Sequence, residues 1–489
     1  MSSPSDRPRP AHHKAAIGLA VAAATGGFLF GFDSSVINGA VQSVTEHFHL
    51  GGVVTGLVVA VALLGSALGA WLGGRLSDHW GRTRVMLLGA VLFFASSILS
   101  GLAVTPWDLA LWRVLAGVGI GIASVIAPAY IAEISPAGVR GRLGSLQQLA
   151  ITLGIFAALL SDQLLATSAG GASHVLWLGI PAWRWMFGVC AVPAAVYGFL
   201  ALRLPESPRY LVAQGRHDEA REVLASVLGP DEDAGRRVEL IRETIRADKK
   251  ASERVTLRGP VLGLLGVVWV GILLSVFQQF VGINVIFYYS TTLWQAVGFG
   301  EQQSFLFSTL TSVTNVLVTL IAIALVDRLG RRPLLLIGSA GMAAMLGLMA
   351  LAFAHSGGTA QHVTLSHGWG VTALVAANAF VVFFGATWGP LVWVLLGEMF
   401  PNRIRAAALG VAASAQWLAN FAITVSFPQL LAQFGPSVPY VLYAVFAAVS
   451  FVFVLVRVPE TKGVQLEDME SLHTVRQEQR AHSGAAARA

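Results

Sequence analysis

The sequence predicts an all-α membrane protein: twelve transmembrane helices in two pseudo-symmetric six-helix bundles, joined by a cytoplasmic helical linker. Three observations carry this. Of 489 residues, 55% are hydrophobic and only 12% charged, about half the charge of a soluble domain, and mean hydropathy is +0.68. Apolar runs of about 20 residues, the length that crosses a bilayer, recur along the chain. One long charged stretch divides them into equal sets.

The runs are 15–40, 53–74, 84–103, 107–132, 143–165, 183–203, 260–292, 303–326, 333–354, 369–398, 405–431 and 437–457. The longer ones contain Gly and Pro and are expected to tilt or break. They set the domain boundaries: a cytoplasmic tail 1–14, a first bundle 15–203, a linker 204–259, a second bundle 260–458 and a cytoplasmic tail 459–489. No short apolar core with a small-residue cleavage site opens the chain, so residues 1–14 read as a tail leading into a retained span. Linker segments 208–228 and 236–255 have the spacing of amphipathic helices. Trp183 and Trp185, at the outer end of the sixth run, read as interface anchors. Cys190 is the single cysteine, so no intramolecular disulfide can form.

Charge placement gives the orientation. Of 32 Lys and Arg, 30 fall in the two tails, the linker or near every second span junction, while 42–52, 294–302, 355–368 and 432–438 contain none. The positive-inside rule puts both termini and the linker in the cytoplasm, in a multi-pass protein of the cell membrane. A nucleic-acid partner is excluded, because the basic charge is divided among membrane-edge loops instead of forming one patch.

The halves echo each other. GGRLSDHWGR (Gly73–Arg82) after span two matches ALVDRLGRR (Ala324–Arg332) after span eight, and EISPAGVRGR (Glu133–Arg142) after span four matches EMFPNRIRAA (Glu398–Ala407) after span ten. This implies a duplicated six-helix unit, a layout associated with alternating access. The charges Asp78, Arg82, Glu133, Arg140, Asp327, Arg331, Glu398 and Arg405 are expected to form a cytoplasmic gating network that holds in one conformation and breaks in the other. Glu133/Arg140 and Glu398/Arg405, each seven apart, are the expected pairs. The bland alternative is that these charges only mark topology.

In GFLFGFDSSVING (Gly27–Gly39) a lone acid, Asp33, lies inside span one. Counted at 1.5 Å per residue, Asp33 is roughly 25 Å from the cytoplasmic entry of span one, and Arg113 roughly 9 Å from the outer entry of span four. These sum to about the hydrocarbon thickness of 30 Å, which puts both at one level. They are taken as the only ionisable groups deep in the spans, hence as partners. The pair is either a fixed bridge or a conditional one released when Asp33 is protonated. Arg keeps its charge, so the Asp must titrate.

Further motifs give a resemblance. With Pro205-Glu206-Ser207-Pro208-Arg209 after span six, Pro459-Glu460-Thr461-Lys462-Gly463 after span twelve and Gln278-Gln279-Phe280-Val281-Gly282-Ile283-Asn284 in span seven, the chain resembles the sugar porter family of the major facilitator superfamily over residues 16–463. The resemblance implies monosaccharide transport and agrees with Asp33 as the proton carrier, since proton-coupled sugar porters have an acid at this place and animal-type facilitators usually a neutral residue; Arg113, its partner by depth, completes the expected proton-coupling pair. It implies sugar-hydroxyl contacts at Gln148, Gln278, Gln279, Asn284, Asn315, Trp388 and Gln416, and an aromatic lining from Phe30, Tyr288 and Trp417.

The residues agree with such a site. Amides both donate and accept, as sugar hydroxyls do, and buried amides are unfavourable unless satisfied. For Gln147 and Asn420 an inter-helix hydrogen bond is the stronger expectation. Gly282 permits an unwound segment in span seven, and Trp388-Gly389-Pro390 a hinge in span ten. Ile155 and Phe287 resemble the glucose-carrier pattern, whereas Ser275-Val276-Phe277 departs from the animal one.

The expectation is a proton-coupled hexose importer, with D-glucose the leading substrate, acting as a monomer without cofactor or metal. The alternatives are a uniporter of the same fold and a non-transporting sugar sensor. An enzyme is not expected, since no His, paired acids or nucleophile elbow is read in the spans.

Overall fold

The computed structural model describes residues 10–135, 140–228, 233–252, 257, 259, 262–359, 362–400 and 404–460. Within these, the side chains of 10–14, 140–142, 144–145, 247–252, 323–329, 358–359, 362–364, 397–398 and 405–406 lie outside the description. In chain order the first bundle comprises α1 (Pro10–His47), α2 (Gly52–Trp80), α3 (Arg82–Gly101), α4 (Pro106–Ile134), α5 (Arg140–Ala169), α6 (Ala182–Val189) and α7 (Ala191–Arg203). The linker carries α8 (Pro208–Ala213), α9 (His217–Val227) and α10 (Ala234–Ser252). The second bundle comprises α11 (Gly266–Phe280), α12 (Ile283–Ala296), α13 (Glu301–Leu329), α14 (Arg331–Ala354), α15 (His367–Phe383), α16 (Gly389–Met399), α17 (Arg405–Phe434) and α18 (Ser437–Arg457).

These helices make twelve stretches long and apolar enough to cross a membrane. The sixth, seventh and tenth are each assembled from two helices. Span six breaks at Cys190, between α6 and α7. Span ten passes through a π-helical turn, Phe384–Trp388, just before Pro390. The linker has three helices where two were expected, because Gly215 takes φ +79° and α8 ends six residues into the predicted run.

Inside the first bundle α1 packs on α5, α2 on α4, and α3 on α4 and α7; in the second, α11 packs on α17, and α14 on α15 and α18. The halves meet where α1 touches α12, α2 touches α17 and α5 touches α13. The outer surface is apolar: Val192 is 63% exposed, Val375 61% and Leu317 56%. In water such a belt would drive association; facing lipid tails it satisfies the helices instead.

Local chemistry explains the ends. Thr105 caps α4 by taking the Asp108 amide, and the Asp108 carboxylate takes the Thr105 amide, a capping box ahead of Pro106. Gly282 separates α11 from α12 at φ +81°, a left-handed conformation that costs a side chain about 1–3 kcal/mol. A Cβ there would meet the Tyr443 ring at 2.4 Å. Trp183 is not an anchor: it is 1% exposed and packs against His47, Phe48 and Phe187. Its neighbour Trp185 keeps a half-buried position, edge-on to Trp177.

Replacing Gly282 by Val is expected to lower the thermal midpoint in detergent by the equivalent of at least about 1–3 kcal/mol. Gly266→Val, at a position with open space, should leave it nearly unchanged.

Candidate functional site

Asp33 on α1 and Arg113 on α4 meet as the helix arithmetic requires. Arg113 Nη1 donates to Asp33 Oδ1 at 2.6 Å, and the residues are 2% and 4% exposed. The pair is under-satisfied, since buried Arg113 Nε has no hydrogen-bond partner. The Phe187 ring lies 6.0 Å from the guanidinium. Beside the pair is a cavity of about 10 Å³, with Phe30, Ser34, Ser66 and Tyr288 in its walls. That is room for about one water. One proton on Asp33 would cancel the attraction and leave the Arg free to move.

The aromatic residues expected around a substrate converge near this cavity. Phe30 and Trp417 pack edge-to-face at 5.6 Å across the two halves. Asn420 Oδ1 accepts from Thr424 Oγ1 at 3.1 Å within α17. Gln147 is buried against Gly27 of α1.

The expected hydroxyl-binding amides divide into engaged and open groups. Gln278 Nε2 donates to the Trp388 and Gly389 carbonyls freed at the π-helical turn (2.9 and 3.2 Å), leaving its buried Oε1 unpartnered. Asn284 Nδ2 donates to Gln279 Oε1 at 2.6 Å across the break at Gly282. Gln148 and Gln416 are half-buried, and Gln416 Oε1 has no partner. Asn315 is 7% exposed on α13. Trp388 differs from expectation. It is fully buried and its indole N–H is taken by Leu335 O and Ser339 Oγ, at 3.1 and 3.0 Å. It braces α14 in this conformation instead of offering a donor to the cavity.

At the edge of the spans that carries the Arg-rich loops, Asp78, Arg82 and Glu133 come together. Glu133 is held by Arg82: Arg82 Nε and Nη2 reach its two oxygens at 3.1 and 3.0 Å. Ser207 Oγ donates to the same carboxylate, and Arg82 also reaches Asp78 at 3.3 Å. The guanidinium fork satisfies the carboxylate with two parallel bonds. The Arg331 amide donates to Glu460 Oε1 at 3.0 Å. The side chains of Arg140, Asp327, Glu398 and Arg405 lie outside the described residues.

Several functional groups escaped the sequence reading. Glu206 accepts from the Arg82 and Thr83 amides at 2.8 and 3.3 Å. Glu460 does the same for Arg331 and Arg332, both at 3.0 Å. Each carboxylate neutralises the exposed amides at a helix start, just after Gly81 (φ +92°) and Gly330 (φ +88°). Both acids stood in view within the quoted post-span motifs. At the other face, Asn38 fastens the halves together. Its side chain accepts from the Thr291 amide (3.0 Å) and donates to Ser290 Oγ (2.7 Å) and Phe287 O (3.0 Å). Thr309 of α13 donates to Leu159 O of α5, and Glu301 takes the Ala172 amide. All these bonds lie outward of Asp33, so the outer side is closed.

Asp33 and Arg113 are not alone in the spans. Asp162, within the predicted run 143–165, is 0% exposed on α5.

The chain matches the family model described as sugar (and other) transporter over residues 19–473. It is 54% identical to a glucose transport protein of Synechocystis sp. over 91% of this chain and 95% of that one. It is 35% identical to the D-xylose-proton symporter of Escherichia coli over 93% and 95% respectively. The xylose transporter of E. coli in an inward open conformation superposes with a TM-score of 0.79 at 33% identity, covering 94% of this chain and 99% of that one.

Asn38→Ala removes four side-chain hydrogen bonds across the outer closure. At about 1 kcal/mol net each, loss of even one should raise the outward-open population about fivefold. Distances between spin labels at the outer ends of α1 and α12 would report it.

Proposed function

The chain belongs to the sugar transporter family, and from that premise we propose that it is a proton-coupled importer of a hexose, D-glucose first. Both termini and the α8–α10 linker are assigned to the cytoplasm by the Arg and Lys bias. The observation that carries the coupled reading is the buried, under-satisfied Asp33–Arg113 pair beside the aromatic cavity. The similarity to a glucose transport protein at 54% identity supports glucose over xylose.

In the outward-open state external water protonates Asp33 and Arg113 is released. Sugar then binds between the halves, its hydroxyls meeting Gln148, Gln278, Gln279, Asn284, Asn315 and Gln416 and its C–H face meeting Phe30, Tyr288 and Trp417. Closure of the outer contacts at Asn38 encloses it. Opening of the cytoplasmic side releases sugar, and loss of the proton reforms the Asp33–Arg113 pair. The bridge seen at 2.6 Å with the outer side closed corresponds to the state after proton release. The Arg82–Glu133 fork and the Glu206 and Glu460 caps tie each half's cytoplasmic helices so that the halves rock as units.

The energetics distinguish a symporter from a uniporter. One proton crossing 100 mV supplies about 2.3 kcal/mol, which at about 1.4 kcal/mol per tenfold ratio sustains accumulation of roughly 40-fold. A uniporter sustains none.

In proteoliposomes with an inward proton gradient, wild type should accumulate labelled glucose and Asp33→Asn should only equilibrate it. If wild type also merely equilibrates, Asp33 is a structural partner of Arg113 and the chain is a facilitator. Gln416→Ala should raise KM for glucose by about 5–50-fold, the loss of one or two hydroxyl contacts at about 1 kcal/mol or more each, with the coupling ratio unchanged.

A further inference from the structure

Asp162 has no place in the cycle above. It is fully buried on α5, a membrane-spanning helix. Its Oδ2 accepts from the Gly39 amide of α1 at 3.2 Å, and its Oδ1 has no hydrogen-bond partner. The contact is close: a Cβ on Gly39 would sit 2.6 Å from Asp162 Oδ2. Among the described side chains, the titratable and charged groups on the elements packed about it are Asp33, Glu46 and His47 on α1, Asp108, Arg113, Tyr130 and Glu133 on α4, Arg184 on α6, Cys190 at the α6–α7 break and Glu301 on α13. None hydrogen-bonds to it. Arg113 is committed to Asp33, Arg184 to the Gly101 and Ala103 carbonyls, and Glu301 to the Ala172 amide.

Its location ties it to the closure of the outer side. Gly39 follows Asn38, whose side chain fastens α1 to α12. One turn inward of Asp162, the Leu159 carbonyl accepts from Thr309 of the opposite half. Ten residues outward of it the Ala172 amide is held by Glu301 of the opposite half, so the acid lies between two bonds of the seam that joins the halves outward of Asp33. Parting that seam breaks both bonds and admits external water. A lone charge in the bilayer interior is costly without a partner, so the seam cannot shut easily over an ionised Asp162.

We propose that Asp162 is a second proton-exchanging carboxyl of the transport cycle, separate from Asp33, taking a proton from external water as the outer gate closes and returning it when the gate opens. The step moves a proton only: an O–H bond forms on the carboxylate and a hydronium ion loses its proton. External acid then favours the closed outer gate, the direction that commits a loaded carrier to import. The inference rests on the proton-coupled reading for its purpose, but its measurement does not.

The test reads gate opening directly. Cys190→Ala removes the native thiol, and Val41→Cys places one at the outer end of α1, buried while the gate is closed. Labelling by an impermeant maleimide, with rates corrected for thiolate fraction, is followed against external pH in proteoliposomes. The labelling rate is expected to rise with external pH, by up to tenfold per unit. The rise should persist in Asp33→Asn, flatten in Asp162→Asn and Asp162→Ala, and return in Asp162→Glu. Glucose counterflow shows that each neutral variant is folded, and the two give independent chances of one. An unchanged pH dependence in either folded neutral variant overturns the proposal, as does its loss in Asp33→Asn with Asp162 intact. Failure of the coupled reading is seen separately, as wild type that never accumulates sugar.

Discussion

Hydrocarbon offers no hydrogen-bond partner, and the architecture follows from that constraint. Backbone groups must be satisfied within helices, so the chain crosses the membrane twelve times as helix and its irregular backbone is confined to places where protein covers it. The breaks at Cys190, Gly282 and the Phe384–Trp388 turn all lie inside the assembly, and side chains take up what the backbone releases there. Gln278 answering the carbonyls of Trp388 and Gly389 is the clearest case. An amide typical of a substrate site thus also repairs a helix defect. In this conformation one residue holds the tenth span's hinge and keeps an oxygen in reserve.

The same constraint makes charge inside the spans a mechanical element. Asp33 and Arg113 neutralise each other at 2.6 Å, yet the guanidinium keeps an unmet donor, so the pair is stable enough to fold around and weak enough to be exchanged for a proton. The cytoplasmic fork between Arg82 and Glu133 is the opposite case. It has two good contacts, a third donor from Ser207 and partial access to water. That favours a permanent tie within one half. The groups that fasten the halves together at the outer face are mostly neutral, Asn38 and Thr291 foremost, and neutral bonds of about 1 kcal/mol can be broken in each cycle.

Much of the fold was legible in the sequence, because hydrophobic run length and Arg placement are local and the bilayer reads them directly. Depth counting brought Asp33 to Arg113 because both stand on continuous helices entered from opposite faces, and rise per residue is then a ruler. The repeated loop motifs foretold the two-half layout for the same reason. What a residue touches was not local. Glu133 was assigned to an Arg whose side chain lies outside the described residues, and its bidentate contact with Arg82 on α3 had no signal in the spacing. Trp183 had an anchor's sequence position but lies beneath α1, and Trp388 turned its N–H toward α14. Asp162 was hidden by its own run, which is apolar enough to span despite the acid.

The sequence by itself determined the number of spans, the duplicated halves, the family and the pairing of Asp33 with Arg113, since each depends on spacing along single helices or on motif order. Only the tertiary structure decided that the outer side is closed, that Asn38 and Thr291 close it, that Glu206 and Glu460 cap the helices after Gly81 and Gly330, and that a second acid is buried at the α1–α5 seam. Those facts depend on which faces of different helices come together. That is set by packing among small residues and neutral hydrogen bonds, which leave no period or motif in the chain.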